Sequence, residues 1–185
     1  MDWPANPFWD YALALYGDAA VEAACLELQR RHGLDVNIVL LCCWQASMGG
    51  ALDAGSLERA QEAVASWHAE VVRPLRALRQ RLKARLAQPE PGSIAARWPE
   101  LAGALRNGAL ALELDGERLA QLALAEVLAG HPASAPPGVA LAGANLGRYW
   151  SFDGRDRHAL QSLLTAAFPA ATPAAVAAAI AWLED

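Results

Sequence analysis

The chain has 185 residues and a formal net charge of −5, with a pI near 5.4. That balance weighs against non-specific nucleic-acid binding, which needs Lys and Arg in excess facing phosphates. Alanine occurs 43 times and the β-branched residues only 14 times; helices tolerate Ala best and sheets lean on β-branched side chains, so an all-α protein is expected.

From the N-terminus, Asn6-Pro7 reads as an N-cap followed by proline at the first helical position, opening a helix over 7–16 that Gly17 stops. Asp18 caps a second helix, 19–32, which ends at Gly33, and Asp35 caps a third, 36–48, which ends at Gly49-Gly50. Between Ile38 and Trp44 no side chain is polar. A run that is apolar on every side has no solvent face, so this helix is expected at the centre of a compact multi-helix bundle. The run is far short of the ~20 apolar residues that a membrane span needs.

Next, Leu57, Ala60, Val64, Trp67, Val71, Leu75, Leu78, Leu82 and Leu86 are spaced by three or four throughout. One stripe kept in phase across Pro74 favours a single long helix, about 56–87, kinked near Arg73-Pro74, with two helices abutting there as the alternative. Gln88-Pro89-Glu90-Pro91-Gly92-Ser93 breaks the chain before a helical stretch of about 99–129. Residues 131–143 read as a Pro-rich loop. A short helix around Asn145–Trp150, one near Arg157–Ala167 and an Ala-rich one from Pro173 to Leu183 follow. Residues 1–130 are thus expected as the bundle core, with 144–185 packed on it in one domain.

The sharpest charge feature is Arg73, Arg76, Arg79, Arg81, Lys83 and Arg85, six cations in thirteen residues with no acid among them. On a helical wheel Leu75, Leu78, Leu82 and Leu86 fill one face; Arg76, Arg79 and Lys83 flank it on one side, Arg81 and Arg85 on the other. Cations crowded on one helix repel each other, so an acidic neighbour or an anionic partner should stabilise them. That partner is either the protein's own carboxylates or an acidic protein or phosphate-bearing ligand at the Arg73–Arg85 helix. Nucleic acid is disfavoured by the overall charge, and no membrane is expected.

A second group is Phe8-Trp9-Asp10-Tyr11 with Trp44 and Gln45. Aromatics at helical spacing pack cores. A pocket between the first and central helices is the other reading, with Asp10, Tyr11, Asn37 and Gln45 as its polar groups, since polar groups on a buried helix must find partners. No catalytic or metal constellation emerges. His32, His68, His131 and His158 are scattered, and Glu113 with Glu117 reads as an i, i+4 pair on a solvated face. The sequence lacks Cys-x-x-Cys, Gly-x-Ser-x-Gly, a Walker-type loop and the dinucleotide-binding glycine pattern. No metal or cofactor is therefore expected. Cys25, Cys42 and Cys43 are odd in number and read as small buried hydrophobes in a reducing compartment. Met1-Asp2-Trp3-Pro4 has neither a basic nor an apolar leader region, and a cytoplasmic protein is expected.

Three strings in order, Phe8-Trp9-Asp10-Tyr11-Ala12-Leu13-Ala14-Leu15-Tyr16-Gly17, His32-Gly33-Leu34-Asp35-Val36-Asn37 with Trp44, and Val71-Val72-Arg73-Pro74-Leu75-Arg76-Ala77-Leu78-Arg79, resemble a family of proteobacterial conserved hypothetical proteins, domain of unknown function 2390. The resemblance covers about residues 7–125. It implies a helical bacterial protein with no established activity and carries no catalytic residues over.

The leading functional expectation is a non-enzymatic binding or adaptor protein that presents the basic helix to an anionic partner. Reversing Arg76 and Arg79 to Glu is expected to abolish binding and leave the melting temperature nearly unchanged. The alternatives are a small-molecule-binding protein or enzyme using the first–central helix pocket, and a homo-oligomer using the basic face.

Overall fold

The computed structural model describes residues 2–181. They form α1 (Pro7–Tyr16), α2 (Ala19–His32), α3 (Val36–Ser47), α4 (Ala54–Trp67), a π-helical turn (His68–Val72), α5 (Arg73–Ala87), α6 (Ile94–Arg97), α7 (Pro99–Val127), α8 (Val139–Tyr149), α9 (Arg157–Ala167) and α10 (Pro173–Ala181). The protein is all-α. The last residues of the expected Ala-rich helix, Trp182 and Leu183, lie outside the described residues. None of the helices is long and apolar enough to cross a membrane among the described residues.

The residues fall into two compact units. One holds the chain up to Gln61 together with everything from Leu124 onward; the other is Glu62–Ala123.

In the first unit, local chemistry sets the helix ends. The Asn6 side chain accepts from the Trp9 N–H, Asp18 from Ala20 at 2.8 Å and Asp35 from Asn37 at 2.9 Å, each satisfying an otherwise orphaned donor. Ile38, Val39, Leu41, Cys42 and Cys43 are completely buried. α3 packs chiefly against α8, with α1 and α2 also against it, and α2 packs against α9. The C-terminal helices therefore supply much of this core: Leu146, Leu160, Leu163 and Leu164 are also completely buried. A helix apolar all round needs cover on every side, and α8 provides one side of it.

α8 begins at Val139, earlier than expected. Val139, Ala142 and Leu146 carry its buried face, and the Gly138 N–H is already engaged by Ala46 O at 3.1 Å. The corner after α3 is tight. Gly49 has φ +81, and a side chain there would meet Ala135 O at 2.6 Å. The Asn145 amide ties the corner together: its Oδ1 accepts from Leu52 N at 2.9 Å, and its Nδ2 donates to Cys42 O at 3.2 Å and Gly50 O at 3.0 Å. The group is buried and satisfied, as such groups must be.

In the second unit, helix continues from α4 into α5 without a break, but one turn is widened. The Arg73 N–H donates to His68 O, five residues back. Pro74 has no N–H and its ring crowds the carbonyl four residues earlier; a π turn just ahead of it gives that ring room. The turn also slips the stripe by one residue. Val64, His68 and Val72 are buried, while Trp67 and Val71 are only half-buried. The expected kink is thus a wider turn, and an unbroken α phase does not hold across it.

Candidate functional site

The second unit is built with unusual polarity. No residue of α5 is buried. On the neighbouring stretch of α7 the buried positions include Ala109, Ala120 and Glu113, the last only 5% exposed. Arg76 Nε donates to Glu113 Oε1 at 3.0 Å and its Nη2 to Glu117 Oε1 at 2.5 Å. Arg79 Nε donates to Glu113 Oε2, and its Nη2 to Glu113 Oε1 at 3.1 Å. Later residues of α5 pair with earlier ones of α7, so the two helices run antiparallel. Trp67 Nε1 donates to Gly116 O at 2.9 Å, close beside Val72; a Cβ on Gly116 would come within 3.3 Å of that valine. His68, buried in the π turn, lies with Nε2 3.7 Å from Glu117 Oε2.

Burial by itself would push the Glu113 carboxyl up; the hydrogen bonds and charges of Arg79 and Arg76 outweigh it and hold the group below its ordinary 4.5. The hydrogen bond to Glu113 holds the Arg79 guanidinium above its usual value in return. Glu113 and Glu117 are therefore not a solvated pair. They sit on the face of α7 turned to α5, and a reading from α7's own spacing could not show what lay opposite.

The basic helix accordingly divides. Arg76 and Arg79 are neutralised by the protein's own carboxylates. Arg73, Arg81, Lys83 and Arg85 are exposed and make no ion pair among the described residues. Reversing Arg76 and Arg79 would place four carboxylates together, so it cannot leave the melting temperature unchanged as expected.

The other predicted site residues are spread out. Phe8 stacks on Trp44 with ring centroids 5.0 Å apart, so α1 and α3 do pack there. Asp10 is exposed and Tyr11 half-buried. The Tyr11 hydroxyl is buried without a hydrogen bond among the described residues; burial, and then Cys43 beside it, push its phenol up. Asn37 and Gln45 are buried but eight residues apart on α3, about 12 Å along the axis. Gln45 Oε1 packs against Gly50, where a Cβ would meet it at 2.4 Å.

A further polar cluster escaped the sequence reading. Asp156 is fully buried. It accepts from Arg31 Nη1, from the Asp153 N–H at 2.9 Å, and meets His32 Nε2 at 2.9 Å. Its partners on α2 lie more than 120 residues away in sequence, beyond any local pattern. The cluster clamps the end of α2 to the turn before α9. Among the described residues no group of three or more His, Cys, Asp and Glu side chains is placed to hold a metal ion.

A family model described as a protein of unknown function, DUF2390, matches residues 7–124, more than half of the chain. The chain belongs to this family. No curated protein and no solved structure matches it. In this DUF2390 protein the matched span carries the whole Arg–Glu seam, whereas α8–α10 lie beyond it.

Proposed function

We propose that the protein is a non-enzymatic interaction module that offers the unpaired cations of α5 to an acidic partner protein. One observation carries this reading: the helix satisfies Arg76 and Arg79 internally and leaves Arg81 and Arg85 exposed and unpaired. Those two stand at i, i+4, where like charges repel. A carboxylate-bearing partner removes that repulsion and draws on the field of Arg73 and Lys83 as well. The end of α5 at Ala87 favours cations in its last turn, which accounts for Arg85 but not for a second cation, Arg81, one turn before it. Three free, buried cysteines support a reducing, cytoplasmic setting.

The test is capture from a bacterial lysate alongside direct titration with a polyglutamate peptide at low and high salt. Arg81→Glu with Arg85→Glu should weaken the peptide by about tenfold or more, equivalent to about 1.4 kcal/mol, and release the captured partner while circular dichroism stays unchanged. Binding that survives this reversal refutes the proposal.

A further inference from the structure

α7 carries a second surface, separate from the cations of α5. Leu101 is 69% exposed, Leu105 61% and Leu112 58%. Their spacing of four and seven places them on one side of the helix. Gly108 falls in the same stripe, and a Cβ built there meets nothing within 4 Å. Glycine weakens a helix interior relative to alanine, and nothing among the described residues requires it at this position. A close approach from outside would.

We infer that this stripe pairs with a second copy of itself, antiparallel, about a two-fold axis between Arg106 and Asn107. An isologous contact must be self-complementary, and in this register the stripe is. Leu105 of each copy sits on Gly108 of the other. Leu101 faces Leu112 of the other copy, and Leu112 faces Leu101. Arg97, just ahead of α7, comes beside Asp115 of the second copy, and the symmetry makes that pair twice. Both residues are exposed and neither has an ion pair among the described residues. The contact is one helix wide and about 28 Å long, smaller than a standard interface, so the dimer is a weak one with Kd on the order of micromolar. It doubles the number of α5 cations offered to a partner, beyond what the proposed function requires of one chain.

Sedimentation equilibrium of the full chain over a concentration series tests this. Mass should rise from 19.6 kDa toward twice that value. Leu105→Glu with Leu112→Glu should weaken the dimer at least about thirtyfold with helicity retained. Gly108→Leu separates a shaped contact from general stickiness: the added side chain has room within one chain but blocks Leu105 of the other, so the dimer should weaken. A chain carrying Leu101→Cys and Leu112→Cys should form a covalent dimer on mild oxidation, and either single variant should not, because two 101 positions lie about 17 Å apart. A chain that stays monomeric throughout, or a dimer strengthened by Gly108→Leu, overturns the inference.

Discussion

The two units of this chain solve the same problem in opposite ways. Around α3 the interior is hydrocarbon, and buried polar groups such as Asn145 and Asp156 are held by several partners each, while the Tyr11 hydroxyl is buried without a hydrogen bond among the described residues. Between α5 and α7 the interior is a line of ion pairs, and the large apolar side chains of α7 face outward. Leucine is common in both. What differs is where it points, and that depends on which helix is available to cover it. The first unit closes over its core run, with Leu13 and Leu26 among the large apolar side chains it leaves exposed. The second leaves apolar surface uncovered, which a monomer rarely does without a use for it.

Paired truncations sharpen this contrast most. Leu41→Ala, in the completely buried run, should cost about 2–5 kcal/mol through lost burial and a residual cavity. Leu105→Ala should change the stability of the dilute chain by no more than about 0.5 kcal/mol. Urea denaturation of both variants checks the difference, and comparable losses would mean that α7's stripe is covered within one chain. Next in size is the charge seam. Arg76→Glu with Arg79→Glu should cost about 3 kcal/mol, below the upper end for a broken buried pair because both arginines keep part of their surface in water. Hydrogen exchange should show the loss concentrated in α5 and the facing part of α7.

The smallest effect is one of pH. Glu113 is held below its ordinary 4.5, so its ionised form contributes stability that is fully present above that value. The contribution is lost as pH falls through the depressed value. The penalty of Glu113→Gln, measured by denaturation at neutral pH, should therefore shrink towards zero in acid. A penalty constant with pH would mean that the seam is not held by charge.

Much of the first unit was legible in the sequence. Asn6-Pro7, Gly17-Asp18, Gly33 and Asp35 are local signals, and α1, α2 and α3 start where those residues say, with α3 stopping one residue short. The apolar run Ile38–Trp44 announced its own burial. What could not be read were the long-range relations. The carboxylates that meet Arg76 and Arg79 lie more than thirty residues on, and Asp156 meets α2 from the far end of the chain. The π turn was hidden for another reason: a helical wheel assumes constant phase, and the turn changes the phase inside an unbroken helix. The first residues of α8 are hard to read as helix because Gly138 and Gly143 bracket them and mask the spacing of Val139, Ala142 and Leu146.

The π turn also makes the orientation of α5 a matter of chain length. It holds one residue more than a regular turn would, upstream of everything that faces α7. Wound as an ordinary helix, the same residues would turn every later side chain by about 100°, because the π turn seats Arg73 where the fourth residue after His68 would otherwise sit. Leu75 and Leu78 would then occupy the places of Arg76 and Arg79, and Glu113 would lose both its partners with no charge mutated. The pairing of charges in this protein is therefore written as a residue count as well as in the residues themselves, and the one extra residue of the turn is what aims the basic helix at its carboxylates.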